Sequence, residues 1–553
     1  MKSPAVDKGS GGWYNQIRTH AQIKIQKGWI YMKRSKIICT IGPSCSDEQT
    51  LTRMVQAGMN VARLNFSHGT HAEHLQRIEL IRKVRETLQV PLPIMLDTKG
   101  PEYRIRTFAN HRVHVEDGAT FTFTVNEVEG DESRVSVSYK GLANDMETGD
   151  IILVNDGLVK FQVEAKTDTD LICRTLIGGD LSDRKSMSFP DKVLNQVFLS
   201  ENDKADLLFG IEQEVDFVAC SFVSTPQDIL DARAFLDANG GKDIGIIAKL
   251  ENRSGVDNAQ EILNYCEGLM VARGDLGVEI PYVELPAIQK QLITMCRLRG
   301  GLAITATEML ESMISKPRPT RAEISDVANA VFDGTSALML SGETAAGKYP
   351  VEAVQAMASI AEEAEKHIDY VERFAQQPFV LKNNTDALSH SACQLAIDTK
   401  ATCIVATTLT GLMGRLVARF RPPMPIIGMT SSEKAFRKLA MSWNVVPVMA
   451  DEFNSTDVLF YHASLVARQT GLAKKGDTVV ITGGITNGAS GNSNLIKVET
   501  LQKYICAAKT GRGGRLSPLL YSVELFMTDL DGPALGTLGP APLDVGEGLV
   551  GVE

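Results

Sequence analysis

Residues 245–251 read Gly-Ile-Ile-Ala-Lys-Leu-Glu, and residues 268–275 read Gly-Leu-Met-Val-Ala-Arg-Gly-Asp. Each is a short apolar run that turns charged only near its C-terminal end. Strands covered by helices on both faces have this nearly continuous apolar character. The pattern recurs at 36–41, 60–66, 93–98, 216–222, 302–307 and 337–341, and amphipathic helical stretches such as 47–57 and 351–367 follow the runs. Eight strand–helix pairs predict an α/β fold whose catalytic domain, residues 33–101 and 191–370, is a (β/α)8 TIM barrel.

About 90 residues separate the third run from its helix, which starts near residue 200; that is too long for a loop. Alternating stretches at 120–125, 134–139 and 158–164, with Asp-Gly turns at 117–118 and 156–157, predict an inserted β domain over 102–190, a small β-barrel lid after strand 3. Residues 371–386 read as a linker. Strand-like pieces at 402–407, 425–429, 445–449, 478–481 and 495–498 predict a C-terminal doubly wound α/β domain over 371–502. Residues 1–32 are expected to be an extension, with 1–31 dispensable, and 503–553 a disordered tail rich in Gly, Pro and Leu.

The chain of 553 residues carries 57 Lys and Arg against 67 Asp and Glu, a formal charge of −10, which argues against a nucleic-acid or membrane-surface partner. Its nine Cys are scattered without a Cys-x-x-Cys, the pattern of reduced thiols in a cytoplasmic protein. No apolar run reaches the ~18 residues of a membrane span. The first 31 residues lack the apolar stretch of a signal peptide.

Alternate residues of a strand share a face. On that rule Val61, Arg63, Asn65 and Ser67 form one set, and Met95, Asp97 and Lys99 another. Lys249 and Glu251; Val271, Arg273 and Asp275; Thr305 and Thr307; and Met339, Ser341 and Glu343 form four more. Six of eight strands thus become polar at the end where barrel enzymes carry their chemistry, and buried charge is costly without a partner or ligand. Glu251 and Asp275 have no His or Cys beside them, a hard-oxygen pair suited to Mg2+ or Mn2+ completed by substrate and water. Lys249 stands two residues away, placed to neutralise a phosphoryl group or an enolate. Asn65, Ser67, Asp97 and Thr98 combine neutral oxygens with one carboxylate. The residues alone leave open a monovalent-cation site or a plain hydrogen-bond network.

Six segments together resemble pyruvate kinases: Asn60-Val-Ala-Arg-Leu-Asn-Phe-Ser-His-Gly69, Leu96-Asp-Thr-Lys-Gly-Pro-Glu102, Ala248-Lys-Leu-Glu-Asn252, Met270-Val-Ala-Arg-Gly-Asp-Leu-Gly-Val-Glu-Ile-Pro281, Lys316-Pro-Arg-Pro-Thr-Arg-Ala-Glu323 and Met339-Leu-Ser-Gly-Glu-Thr344. The resemblance runs from about residue 34 to 500. It implies transfer of the phosphoryl group of phosphoenolpyruvate to ADP, with Mg2+ (or Mn2+) on Glu251 and Asp275 and K+ on Asn65, Ser67, Asp97 and Thr98. It implies that Lys249 stabilises the phosphoryl group, Arg63 contacts the phosphate, and the backbone of Ala272, Arg273, Gly274 and Asp275, with Thr307, holds the substrate carboxylate. Thr307 and Ser341 would lie in the proton relay, and Asn65, His68, Arg104 and Lys185 would bind nucleotide. Glu102, with Thr98 and Lys99, looks like the K+-dependent version of the family. The resemblance further implies a homotetramer and a sugar-phosphate or nucleotide effector on the loop with Thr408, Thr410 and Gly411, backed by the Gly/Ser/Asn-rich loop 483–493. Two departures bear on the lid. Lys185-Ser-Met-Ser-Phe-Pro190 stands where the family usually reads Lys-Gly-Val-Asn-Leu-Pro, and Glu102 is followed by Tyr-Arg-Ile-Arg where Ile-Arg-Thr-Gly is common.

Competing readings are weaker. An aldolase or mutase on the same barrel would share the acid pair but need no ADP groups or lid. A silent sensor would not need the Lys249, Glu251, Asp275 and Thr307 set. Gly342-Glu-Thr-Ala-Ala-Gly-Lys-Tyr349 nearly spells a P-loop but ends in Tyr349 where Ser or Thr holds Mg2+. His68, His71 and His74 are spaced by three, and on a helix they diverge too far to share a zinc ion; exposed first-turn histidines are expected.

Overall fold

The computed structural model describes residues 33–502, apart from 191, 193, 195, 196, 453, 454 and 485–492. The expected extension 1–32, the tail 503–553 and most of the loop 483–493 lie outside the described residues.

Strands β1 (Lys36–Thr40), β2 (Val61–Asn65) and β3 (Ile94–Asp97) pair in parallel, each nearly or wholly buried. Eight strands of the insertion follow: β4 (Arg112–Val115), β5 (Thr120–Thr124), β6 (Arg134–Ser136), β7 (Ile151–Val154), β8 (Val159–Lys166), β9 (Asp170–Ile177), β10 (Gly179–Ser182) and β11 (Met187–Ser188). The barrel resumes with β12 (Phe217–Cys220), β13 (Gly245–Leu250), β14 (Gly268–Ala272), β15 (Leu302–Ala306) and β16 (Ala337–Leu340). β12 pairs directly with β3, Phe217 against Met95, so the insertion leaves the sheet unbroken. β16 returns to β1 and closes the barrel.

Two apolar clusters divide the barrel residues by strand parity. Ile38, Val61, Met95, Ala219, Ile247, Met270, Ile304 and Met339 fill the interior. Ile37, Ala62, Leu64, Leu96, Ala248 and Val271 pack outward with helix residues such as Met54, Ile81 and Val354. Helix starts are set locally. Thr70 and Glu73 form a capping box on the helix His71–Leu88, and Ser200 and Asp203 form one on Glu201–Glu212, just where the sequence placed the helix after the insertion.

The insertion wraps one core in which Phe121, Phe123 and Phe161 meet with ring centroids 5.0–5.3 Å apart. Its ladders are a six-stranded sheet, β11-β7-β8-β9-β5-β6, and the ribbon β10-β4; the edges of the sheet are bridged by Arg104 to Ser186 and Ile105 to Val137, which closes it in the manner expected of a small β-barrel.

The C-terminal domain is a five-stranded sheet, β17 (Cys403–Thr407), β18 (Ile426–Thr430), β19 (Val445–Met449), β20 (Thr478–Gly483) and β21 (Leu495–Thr500). Its order is β19-β18-β17-β20-β21, with β21 antiparallel and apolar clusters on both faces. The strand order reverses direction between β17 and β20, the place where doubly wound sheets open a crevice. Among the described residues no helix is long and apolar enough to cross a membrane.

Candidate active site

The barrel interior turns polar at the carboxyl ends of its strands, and one network of charge occupies that rim. Asn65 and Asp97 sit opposite each other in register. Arg63 Nε donates to Asp97 Oδ2 at 2.6 Å, and another guanidinium nitrogen donates to Thr40 Oγ1 at 2.9 Å. Lys249 Nζ stands 3.0 Å from Asp97 Oδ1, 2.9 Å from Glu251 Oε1 and 2.6 Å from Ser221 Oγ. Arg63, Asp97, Lys249 and Glu251 are all buried. Burial works against the charge on Lys249, but Asp97 and Glu251 hold its pKa above the usual lysine value. Burial also opposes the charge on Asp97, yet Arg63 and Lys249 pull its pKa below the ordinary carboxylate value.

The second ion-binding element is the acid pair. The Phe222 N–H donates to Glu251 Oε2 at 2.6 Å, and the Glu251 and Asp275 carboxyls lie close enough to perturb each other's charge. Both are pushed above their ordinary values, first by removal from water; neighbouring acids add to the push and Lys249 opposes it. Two buried carboxyls forced together are a site that a cation would relieve. Among the described residues no group of three or more His, Cys, Asp or Glu gathers as a self-sufficient metal cage. The donor set therefore fits a hard divalent ion that takes its other oxygens from substrate and water.

Two strand-face expectations are corrected. Val271 belongs to the outward cluster, and Met270 faces inward. β14 ends at Ala272, so Arg273 and Asp275 lie on the helix Arg273–Glu279, where strand alternation no longer applies. Likewise Thr305 hydrogen bonds Thr335 Oγ1 at 3.0 Å, while Ile304 and Ala306 face inward. Thr307 follows the strand end with φ +67°. That left-handed turn brings Thr307 Oγ1 to the Gly274 N–H at 2.8 Å, and the hydroxyl donates to the Ala306 carbonyl at 2.6 Å. The Arg273 guanidinium points to neither acid. It grips Asp326 at 2.7 and 2.8 Å and donates twice to the Thr307 carbonyl, at 2.6 and 3.1 Å. Backbone at Ala272–Asp275 thus lies beside Thr307, while the Arg273 side chain clamps it from behind.

Other expected residues are placed as follows. Thr98 Oγ1 accepts from the Ser221 N–H at 3.1 Å, and Asn65 Oδ1 accepts from the Ser67 N–H at 3.1 Å. Ser341 Oγ is buried and makes no hydrogen bond, while its N–H donates to buried Glu343 at 2.7 Å. Arg104 pairs with Glu102 and donates to the Arg184 carbonyl at 2.6 Å; Lys185 is half-buried next to it. His68 is exposed. His74 is not: it is buried, stacked on Phe66 at 4.0 Å, and burial lowers its pKa to about 4. His71 bonds Asp206 at 2.6 Å, so the three histidines do not converge. Gly411, at φ +86°, donates its N–H to Thr408 Oγ1 at 3.1 Å, beside Thr410.

Thr40, Ser221 and Asp326 were missed. Thr40 and Ser221 share the inward parity of Ile38 and Ala219, so the alternation rule, applied to strands one and four, finds them. Asp326 lies on the helix Arg321–Asp333 and carries no local signal.

A family model described as "Pyruvate kinase, barrel domain" matches residues 32–354, and one described as "Pyruvate kinase, alpha/beta domain" matches 386–499. Pyruvate kinase of Clostridium acetobutylicum is 46% identical over 473 residues, 85% of this chain and 100% of that protein. That of Clostridium perfringens is 44% identical over 474 residues, with the same coverage. That of Geobacillus stearothermophilus is 45% identical over 472 residues, 85% of this chain and 80% of its own. The match spans both the barrel that carries the Lys249 network and the C-terminal sheet, and the chain belongs to the pyruvate kinase family, an enzyme of the phosphotransferase class.

Proposed function

We propose that this enzyme transfers the phosphoryl group of phosphoenolpyruvate to ADP, giving pyruvate and ATP as the last step of glycolysis in the cytoplasm. The observation that carries the reading is Lys249, a buried ammonium held among Asp97, Glu251 and Ser221 beside the Glu251–Asp275 pair. An ADP oxygen attacks phosphorus, the bond from phosphorus to the enol oxygen breaks, and its electron pair stays on the enolate. Lys249 and Arg63 spread the phosphoryl charge, and the Gly274 region with Thr307 holds the carboxylate. Thr307 and Ser341 then pass a proton to the enolate carbon, a role that suits the unpartnered hydroxyl of Ser341. Mg2+ (or Mn2+) bound by Glu251 and Asp275 would supply Lewis-acid stabilisation of phosphoryl and enolate oxygens. Asn65, Ser67, Asp97 and Thr98, one carboxylate among neutral oxygens, would hold K+.

Nucleotide would meet Asn65, His68, Arg104 and, from the lid formed by 102–190, Lys185. Lid closure over 33–101 and 191–370 would keep water from the phosphoryl group. An effector with a phosphate, on a sugar or a nucleotide, would use the Thr408, Thr410 and Gly411 loop in the crevice between β17 and β20, within an assembly of four copies. The test is pyruvate formation with ADP, Mg2+ and K+ each varied. ADP-independent pyruvate release would favour an aldolase-type reading and sink this one.

A further inference from the structure

The Lys249 ammonium has three protons to donate and three acceptors around it: Ser221 Oγ at 2.6 Å, Glu251 Oε1 at 2.9 Å and Asp97 Oδ1 at 3.0 Å. Two of the three are carboxylates. The third, and the nearest, is a neutral hydroxyl. Ser221 is buried one residue past the end of β12, the strand that pairs with β3.

The hydroxyl is itself held in place. It donates to the Thr98 carbonyl at 2.6 Å, with Asp97 Oδ1 a second acceptor at 3.3 Å. The Ser221 N–H donates to Thr98 Oγ1 at 3.1 Å, so two bonds lace the residue to the end of β3. Gly100, left-handed at φ +67°, presses on its other side: a Cβ there would stand 2.9 Å from Ser221 Cβ and 3.0 Å from its carbonyl oxygen. With its proton committed to Thr98, the Ser221 oxygen offers Lys249 a lone pair from a fixed position.

A neutral anchor does what a carboxylate cannot. Each acid draws the ammonium toward itself and cancels part of its charge, whereas a hydroxyl fixes its direction and leaves the charge for the substrate. When Glu251 turns to a divalent ion, its hold on Lys249 weakens and one N–H is released toward the phosphoryl oxygens. Asp97 and Ser221 are then the remaining anchors, and Asp97 is shared with Arg63 at 2.6 Å. We propose, on the basis of the reaction proposed above, that Ser221 is a positioning residue: its lone pair aims the Lys249 ammonium at the transferring phosphoryl group and keeps it from collapsing onto Glu251.

Ser221→Ala removes this anchor and leaves every charge in place. With Mg2+ and K+ saturating, turnover should fall about 10- to 100-fold while KM for phosphoenolpyruvate and for ADP changes by about threefold or less, because a misaimed ammonium loses transition-state contact before it loses binding. Crystal structures of the metal-free parent and variant should differ at Lys249 Nζ, displaced toward Glu251 in the variant. Ser221→Cys, of similar shape but a weaker donor and acceptor, should lose less turnover, and it carries the same test if the alanine variant does not fold. Unchanged turnover in a folded Ser221→Ala protein with a lowered thermal midpoint would make the hydroxyl a structural bond alone and overturn the proposal. A loss carried wholly by KM, or an Nζ that has not moved, would overturn it as well. A parent enzyme that releases no pyruvate from phosphoenolpyruvate and ADP would instead sink the reaction, and the Nζ position would still decide whether Ser221 holds Lys249.

Discussion

Lys249 is the residue on which most of the site's electrostatics turns, because it reaches Asp97, Glu251 and Ser221 at once. Lys249→Met should keep the fold and lower phosphoryl transfer about 10³-fold or more. Near-normal turnover in a folded variant would remove the assigned role. The acid pair makes a pH prediction. Glu251 and Asp275 have raised pKa values, so the metal-free folded state binds their proton more tightly than the unfolded chain. That contribution to stability is full below the ordinary carboxylate range and is lost as pH rises through the folded values. A divalent ion must displace the same proton, so Mn2+ affinity should climb with pH across that window and then level off. Calorimetric titration at several pH values checks this; pH-independent affinity would place the ion elsewhere.

At the scale of elements, strand ends and the turns after them aim the chemistry. The turn at Thr307 is left-handed, and Arg273 with Asp326 holds its carbonyl. Asp326→Asn keeps the shape but weakens the clamp, and a misplaced Thr307 should cost about 10- to 100-fold in turnover. Exchange of pyruvate methyl protons with D2O, followed by NMR, should fall in parallel, and Asp326→Glu should recover part of it. Unchanged exchange would make the clamp a matter of stability alone. In the C-terminal sheet, a Cβ at Gly483 would stand 1.8 Å from Thr407 Oγ1. Gly483→Ala should therefore loosen the β17–β20 crevice and destabilise its domain by about 1–3 kcal/mol, read from a denaturant melt.

Across the whole molecule, the seam between barrel and C-terminal domain is built from ion pairs rather than apolar surface alone. Asp216, just before β12, is buried and receives Arg437 from the C-terminal domain at 2.6 Å, with Arg85 at 3.8 Å and the Ile94 N–H at 2.9 Å. The same two strands, β3 and β12, lead at their far ends to Asp97 and Ser221. Arg437→Met leaves Asp216 with weaker company and should cost about 3 kcal/mol at most, because Arg85 remains. A lowered thermal midpoint with a single transition checks this; an unchanged midpoint would mean the pair adds nothing to the seam.

Repeating apolar runs with charged C-terminal ends determined the barrel, the site of the insertion and the carboxyl-end location of the chemistry. These are local properties: a strand buried on both faces needs unbroken apolar residues, and a charge is tolerated only where the barrel opens. Alternation also placed Arg63, Asn65, Asp97, Lys249 and Glu251 correctly, because those residues lie within or just past regular strands. It misplaced Val271 and Thr305, which lie inside β14 and β15, because it gave them the same face as Arg273, Asp275 and Thr307, which stand past the strand ends where period two ceases to hold. Only the tertiary structure decided that Arg273 turns to Asp326, 53 residues away. It alone decided that His74 is buried against Phe66 and that Arg415 and Lys438 share a cavity with the barrel base. Such pairings depend on which elements meet in space, and no spacing along the chain encodes them.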